Sequence, residues 1–322
     1  MAMIHRPIEG TLKFAIILLL AVMIPAQIVG VIGGTDASMA VGIAAGFTMA
    51  VTPFATTQQA LGSAVLAAVL AAAASAADDS AIAVAALMLV AAALLGLTNQ
   101  HSAGLMTLAP AIVIIFGPSA LDMTPSATFG YVLLGGVIGW IVITLFKFEA
   151  EPKPVARSVA WRHAAVLGVL SAAAMYWALI NNVSHGYWVA VTLVVALRPL
   201  PEERAHTLRD RLLGTLAGSA LAFLVIIWAP PLVAALAALV CLVLLATYSM
   251  GGSYFMQTLF LTPMLLIFST FGDEDKGVTY TGERIFFTLI GVAIGFVAAW
   301  ILDRWDRSAG DLPVAERQPS AR

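Results

Sequence analysis

The sequence has a single cysteine, Cys241, and few charged residues, 11% in all. One cysteine allows no internal disulfide, and its position within an apolar run reads as a small buried hydrophobe. Five histidines are scattered among helix ends and loops, with no Cys/His ligand spacing. There is no glycine-rich phosphate loop and no Ser-His-Asp set that spacing would support. These absences argue against an enzyme, a metal site, a bound cofactor, nucleic-acid binding and ATP-driven transport within this chain. None of the eighteen acidic residues falls at the centre of an apolar run. An obligatory proton relay ordinarily places a carboxylate or histidine there.

What is present is hydrophobic sequence: 61% of residues, with a mean hydropathy of +0.96. Charges confined to short islands between long apolar runs predict an all-α polytopic membrane protein. The first run, Lys13 to Gly33, follows a basic start (Arg6, Lys13), as a signal peptide would. Its length suffices to span, and no clean Ala-x-Ala site follows, so a retained first helix is expected.

Breaking the apolar runs at charges, prolines and polar clusters gives twelve segments. In the first half they are Leu12–Gly33, Ala37–Thr52, Gln59–Ala77, Ser80–Leu97, Ala103–Phe116 and Ser126–Phe146. In the second they are Arg162–Ile180, Gly186–Leu197, Arg209–Trp228, Pro231–Tyr248, Tyr254–Phe271 and Glu283–Leu302. Ala37–Thr52 and Ala103–Phe116 are short for a bilayer, and their alternative is a half-helix buried against neighbours.

The halves echo one another. Val51-Thr52-Pro53 corresponds to Leu197-Arg198-Pro199, Ala109-Pro110 to Thr262-Pro263, and Gly135/Gly139 to Gly291/Gly295. Two parallel six-helix repeats are expected over residues 1–147 and 162–303, joined by a cytoplasmic linker at 148–161 and followed by a disordered tail at 304–322. With both termini cytoplasmic, fourteen of the sixteen Lys and Arg residues fall on the cytoplasmic side, leaving only Lys276 and Arg284 outside. That split obeys the positive-inside rule. The acids of the outer loops, such as Asp36, Asp78 and Asp122, read as solvated loop ends.

The stretch from His185 to Ala222 carries most of the remaining information. An aromatic-headed run from Tyr187 closes at Arg198-Pro199. A polar turn with Arg204 follows, then Arg209 and Arg211, then a small-residue run with Gly214 and Gly218. This pattern resembles the fusaric acid resistance / aromatic acid exporter superfamily, of which the plant aluminium-activated malate transporters are distant relatives. The resemblance implies an inner-membrane protein that exports small aromatic or other organic acids, with a periplasmic adaptor protein as one partner and a homo-oligomer as one assembly. Longer members of that family carry a large soluble domain at the junction where this chain has only Lys147 to Trp161. A passive organic-anion channel of the malate-transporter type and a non-transporting membrane scaffold stay open beside efflux.

Three constellations are candidate substrate-binding positions. Pro110 and Pro263 interrupt matching helices and would free carbonyls near Thr107, Gln257, Thr258 and Thr262; ordinary kinks are the alternative. Arg198, with Arg209 and Arg211 at the start of the next helix, would form a cytoplasmic vestibule for carboxylates, with Arg204 further out in the loop. Surface anchoring by Glu202, Glu203 and Asp210 is the alternative. Tyr187 and Trp188, beside His185, sit where an interfacial aromatic belt or an aromatic substrate would place them. The pairs Gly42/Gly46, Gly214/Gly218 and Gly291/Gly295 read as close helix contacts.

Overall fold

The computed structural model describes residues 11–51, 55–78, 80–102, 105–117, 121–146, 154–250, 252–269 and 274–309. All regular structure among these is helical, in eleven helices. They are α1 (Thr11–Val51), α2 (Thr57–Ala77), α3 (Ala81–Asn99), α4 (Ala109–Phe116), α5 (Pro125–Leu145) and α6 (Arg157–Ile180). The second half continues with α7 (Tyr187–Ala196), α8 (Pro201–Trp228), α9 (Pro231–Met250), α10 (Tyr254–Ser269) and α11 (Glu274–Ser308).

Each of the twelve sequence segments overlaps a helix, but they differ in what they can span. Eight of the described helices are long and apolar enough to cross a membrane: α1, α2, α3, α5, α6, α8, α9 and α11. The apolar α7 and α10 are shorter, and α4 has only 8 residues. The chain is therefore a multi-pass membrane protein, and the buried half-helix foreseen for Ala103–Phe116 is what α4 is.

The first two segments lie on one helix. In α1 they are separated at Gly34, whose φ of 86° and ψ of 177° belong to glycine alone. The helix starts use local chemistry. Thr56 and Gln59 form a reciprocal capping box on α2, and Ser80 and Thr124 cap α3 and α5.

Long helices wrap the two short ones. Seven of the eight residues of α4 are buried, and α7 buries Val189, Ala190, Thr192, Leu193, Val194 and Ala196. Both belong to the main apolar core, together with Met88, Leu95, Leu167 and Met175. In the first half, α5 packs on α1 and α2; in the second, α11 packs on α7 and α8. Between the halves, α3 packs on α6 and α1 on α9.

Glycines set the closest of these approaches. Gly135 and Gly139 of α5 lie against the carbonyls of Val41 and Ala45 in α1, leaving no room for a Cβ. Gly291 of α11 meets Thr192 and Val189 of α7 in the same manner, and Gly295 meets Leu208 of α8. Gly214 and Gly218 let α8 onto the Phe255 and Leu259 carbonyls of α10. Gly46 is the exception to the sequence reading: nothing lies within 4 Å of its would-be Cβ, and Gly42 has only Ala26, at 3.8 Å. That pair marks no close contact.

Two boundaries move in ways that matter. The helix expected from Arg209 begins at Pro201, so Arg204 is helical rather than in a loop. The helix expected from Glu283 to Leu302 begins at Glu274 and ends at Ser308. Arg284 therefore lies well inside α11 instead of at an outer end, and residues 304–308 of the expected tail are helical. Of the expected linker, residues 148–153 lie outside the described residues, as do Thr52, Pro53 and Phe271.

Candidate functional site

Ending a ten-residue helix inside a protein leaves its last carbonyls without intrahelical donors. At and just beyond the end of α7, four carbonyls are met by side chains from other helices. Tyr254 Oη of α10 donates to the Val195 carbonyl at 3.2 Å, and His163 of α6 bonds that of Leu197 through Nε2 at 2.8 Å. Arg204 of α8 donates to the Arg198 carbonyl at 3.1 Å and to the Pro199 carbonyl at 2.9 Å. The Arg-Pro close of the motif is thus a helix end held by α6, α8 and α10.

Arg204 is fully buried and does more than cap. It pairs with Asp303 at 2.6 Å and Asp306 at 3.0 Å on α11, and Asp306 also takes Arg162 of α6 at 2.8 Å. One buried ionic cluster therefore ties α6, α8 and α11 together at one end of the bundle.

The three arginines proposed as a vestibule are dispersed. Arg209 is exposed and bonds Asp210, which also takes His206. Arg198 is half-buried, its guanidinium carbon 5.5 Å from the Tyr254 ring centroid. Arg211 is buried, with 2% of its surface exposed, and no ion pair to it occurs among the described residues.

The proline constellation also divides. Pro110 sits in the first turn of α4, where the missing N–H is unpaired in any helix, so it frees no carbonyl. Pro263 lies within α10, and the carbonyl one turn earlier, at Leu259, is met closely by Gly218 of α8 instead of opening to a cavity. Thr262 bonds the Thr258 carbonyl at 3.0 Å and Gln257 that of Tyr248 at 3.3 Å. The hydroxyls of Thr107 and Thr258 are buried with no hydrogen-bond partner.

The residue that sequence reasoning missed is Arg284. Only 1% of it is exposed, and Nε and both terminal nitrogens are buried without a hydrogen-bond partner. Its guanidinium lies 3.4 Å from the centroid of the Trp188 indole, so Trp188 faces a buried cation rather than a lipid interface. Arg211, Tyr187 and Tyr254 are within its electrostatic reach. The neighbouring acid in the chain, Glu283, is instead engaged by His185, whose ring packs edge-on against Tyr280.

Helical spacing extends this centre into polar stripes. Arg211, Thr215 and Ser219 follow one face of α8; Arg284 and Thr288 follow one face of α11; Trp188 and Thr192 follow one face of α7. The hydroxyls of Thr192, Thr215, Ser219 and Thr288 are all buried and unpartnered. Apolar helices crowded around two unpaired guanidinium groups and idle hydroxyls form a site able to hold an anion by fork-shaped, charge-assisted hydrogen bonds. The signal in the sequence was Arg284 with Thr288 four residues on, hidden by placing the helix start at Glu283. Among the described residues, no group of three or more His, Cys, Asp or Glu could hold a metal ion.

No solved structure matches the chain. It is 30% identical to the inner membrane protein YccS of Escherichia coli (strain K12) over 149 residues, 46% of this chain. That stretch spans about a fifth, 20%, of the relative's length. Residues 163–298, which hold the three buried arginines Arg204, Arg211 and Arg284 and all of α7 to α10, match the family described as fusaric acid resistance protein-like.

Proposed function

We propose that the protein is an inner-membrane transporter that moves small organic acids, as their anions, out of the cell. One observation carries this reading: Arg284 is buried among membrane helices with no ion pair among the described residues and no hydrogen-bond partner for any guanidinium nitrogen. An uncompensated charge there is costly, and ionisable groups inside membrane proteins serve substrate or ion pathways by default. The fusaric acid resistance protein-like match of residues 163–298 agrees with handling of an organic acid, and the name of the relative agrees with a place at the inner membrane.

The finer architecture belongs to the same proposal. Two parallel repeats of six segments are supported by equivalent packing, α5 on α1 and α2 and α11 on α7 and α8, and cytoplasmic termini by the one-sided distribution of Lys and Arg along the sequence. The Gly135 and Gly291 contacts support the repeats too, each against the second apolar segment of its half: the part of α1 beyond Gly34 for Gly135, and α7 for Gly291. An adaptor protein and a homo-oligomer remain part of the family's implication. A membrane potential supplies about 2.3 kcal/mol per charge per 100 mV, enough to drive an anion outward without a coupled ion.

The test is flux of benzoate-type and aliphatic acids in proteoliposomes, with potential and pH gradient set independently. Saturable flux of an acid supports the reading. Dependence on potential alone indicates a channel, and dependence on the pH gradient a proton-coupled exporter. No flux with any acid would leave a membrane scaffold.

A further inference from the structure

Arg211 and Arg284, the buried arginines without an ion pair among the described residues, carry a charge count that bears on what the site accepts. Each has an acid beside it in the chain, and each of those acids is committed elsewhere: Asp210 to Arg209 and His206, Glu283 to His185. Among the described residues neither Arg211 nor Arg284 has an ion pair, and Nε of Arg211 joins all three nitrogens of Arg284 in lacking a hydrogen-bond partner. Arg211 lies within electrostatic reach of Arg284. Like charges sharing a desolvated interior repel, and the Trp188 face is the contact that offsets this at Arg284.

The register of the two helices sets their spacing. Leu208 of α8 meets Gly295 of α11, and the chains run antiparallel from the Arg204–Asp306 pair. Arg211 is then level with position 292 of α11, about eight residues or roughly 12 Å of helix rise from Arg284. Two long side chains approaching from that separation suit two acid groups on one molecule.

We propose that Arg211 and Arg284 form one occluded site for a doubly charged organic acid, each guanidinium taking one carboxylate and Thr215 and Thr288 adding hydroxyl donors. The proposal rests on the reading that the chain transports organic anions and specifies the charge class. A dianion neutralises both arginines, whereas a monocarboxylate leaves one buried charge unpaired. Trp188 acts as the resting platform for Arg284 between occupants.

The test is titration calorimetry on the purified full chain in detergent, with benzoate, isophthalate and sulfate as probes at neutral pH. Benzoate and isophthalate share a ring and differ by one carboxylate; sulfate is a compact dianion. Wild type should bind isophthalate at least about tenfold more tightly than benzoate, with sulfate weaker than isophthalate, as one added charge-assisted contact implies. Arg211→Gln should bring isophthalate down to the level of benzoate, and Arg284→Gln should remove both. Arg211→Lys, which keeps the charge, should retain part of the preference. Equal binding of benzoate and isophthalate by wild type would overturn the two-carboxylate site while leaving anion transport standing. That comparison decides the matter even if a variant fails to fold. Sulfate binding as tightly as isophthalate would overturn the two-point geometry, and no binding of any probe would sink both readings.

Discussion

The Arg284 guanidinium lies over the Trp188 indole, 3.4 Å from the ring centroid, with no carboxylate paired to it among the described residues. A ring face is a weak substitute for a counter-ion, contributing about 2 kcal/mol when desolvated. Trp188→Leu should therefore lower thermal stability in detergent by a comparable amount, and Trp188→Phe by less. If the leucine variant melts like wild type, the indole does not support the buried charge.

Breaking a buried ion pair from one side strands its partner, at a cost of about 3–5 kcal/mol. Among the described residues, Arg204→Met leaves Asp303 without an ion-pair partner and Asp306 with Arg162 alone, and it removes the donors to the Arg198 and Pro199 carbonyls. The expected result is loss of folded protein, read as monodisperse yield and melting temperature. Combined with Asp306→Asn, the damage should be less than the sum of the two singles. Strict additivity would show that the two residues do not act together.

Glycine substitutions separate close contacts from incidental spacings. A Cβ at Gly218 would lie 2.6 Å from the Leu259 carbonyl oxygen, and one at Gly214 would lie 2.8 Å from that of Phe255. Gly214→Ala and Gly218→Ala should push α8 from α10 and lower stability, although alanine is the better helix former by about 1 kcal/mol. Gly46→Ala, with open space around it, should be neutral or stabilising. A loss at Gly46 matching that at Gly218 would contradict the packing described.

How far the sequence could be read depends on what each feature requires. Apolar runs report helices because length and composition alone mark them, whereas the Gly spacing does not by itself report a contact: Gly214/Gly218 meets α10 closely and the equally spaced Gly42/Gly46 meets nothing closely. Arg204 looked like a loop residue because its partners, Asp303 and Asp306, lie some hundred positions away and only the fold unites them. Pro110 looked like a helix breaker because a proline gives no sign of whether it starts a helix or interrupts one; α4 starts there. Arg284 looked like an outer-face residue because Gly282 and Glu283 mimic a helix end, while α11 in fact begins at Glu274. The match of residues 163–298 agrees with the motif reading of 185–222, whereas the substrate left no mark that the motif alone discloses.

Surface and interior arginines make separable contributions. Arg209, exposed and paired with Asp210, can attract anions only through solvent, where screening acts within about 8 Å at physiological salt. Arg209→Gln should slow uptake of an anionic substrate modestly at low salt, with the difference fading as ionic strength rises. A defect that persists at high salt would place Arg209 on the path itself.

The most direct test of the central claim, that an organic anion passes the buried Arg284, is initial-rate flux of a labelled aromatic acid in proteoliposomes at high salt. Wild type, Arg284→Gln and Arg209→Gln would be compared at matched amounts of folded protein. Wild type and Arg209→Gln should show saturable flux at similar rates, and Arg284→Gln should lose it by at least about tenfold. Saturable flux at the wild-type rate in Arg284→Gln would contradict the account.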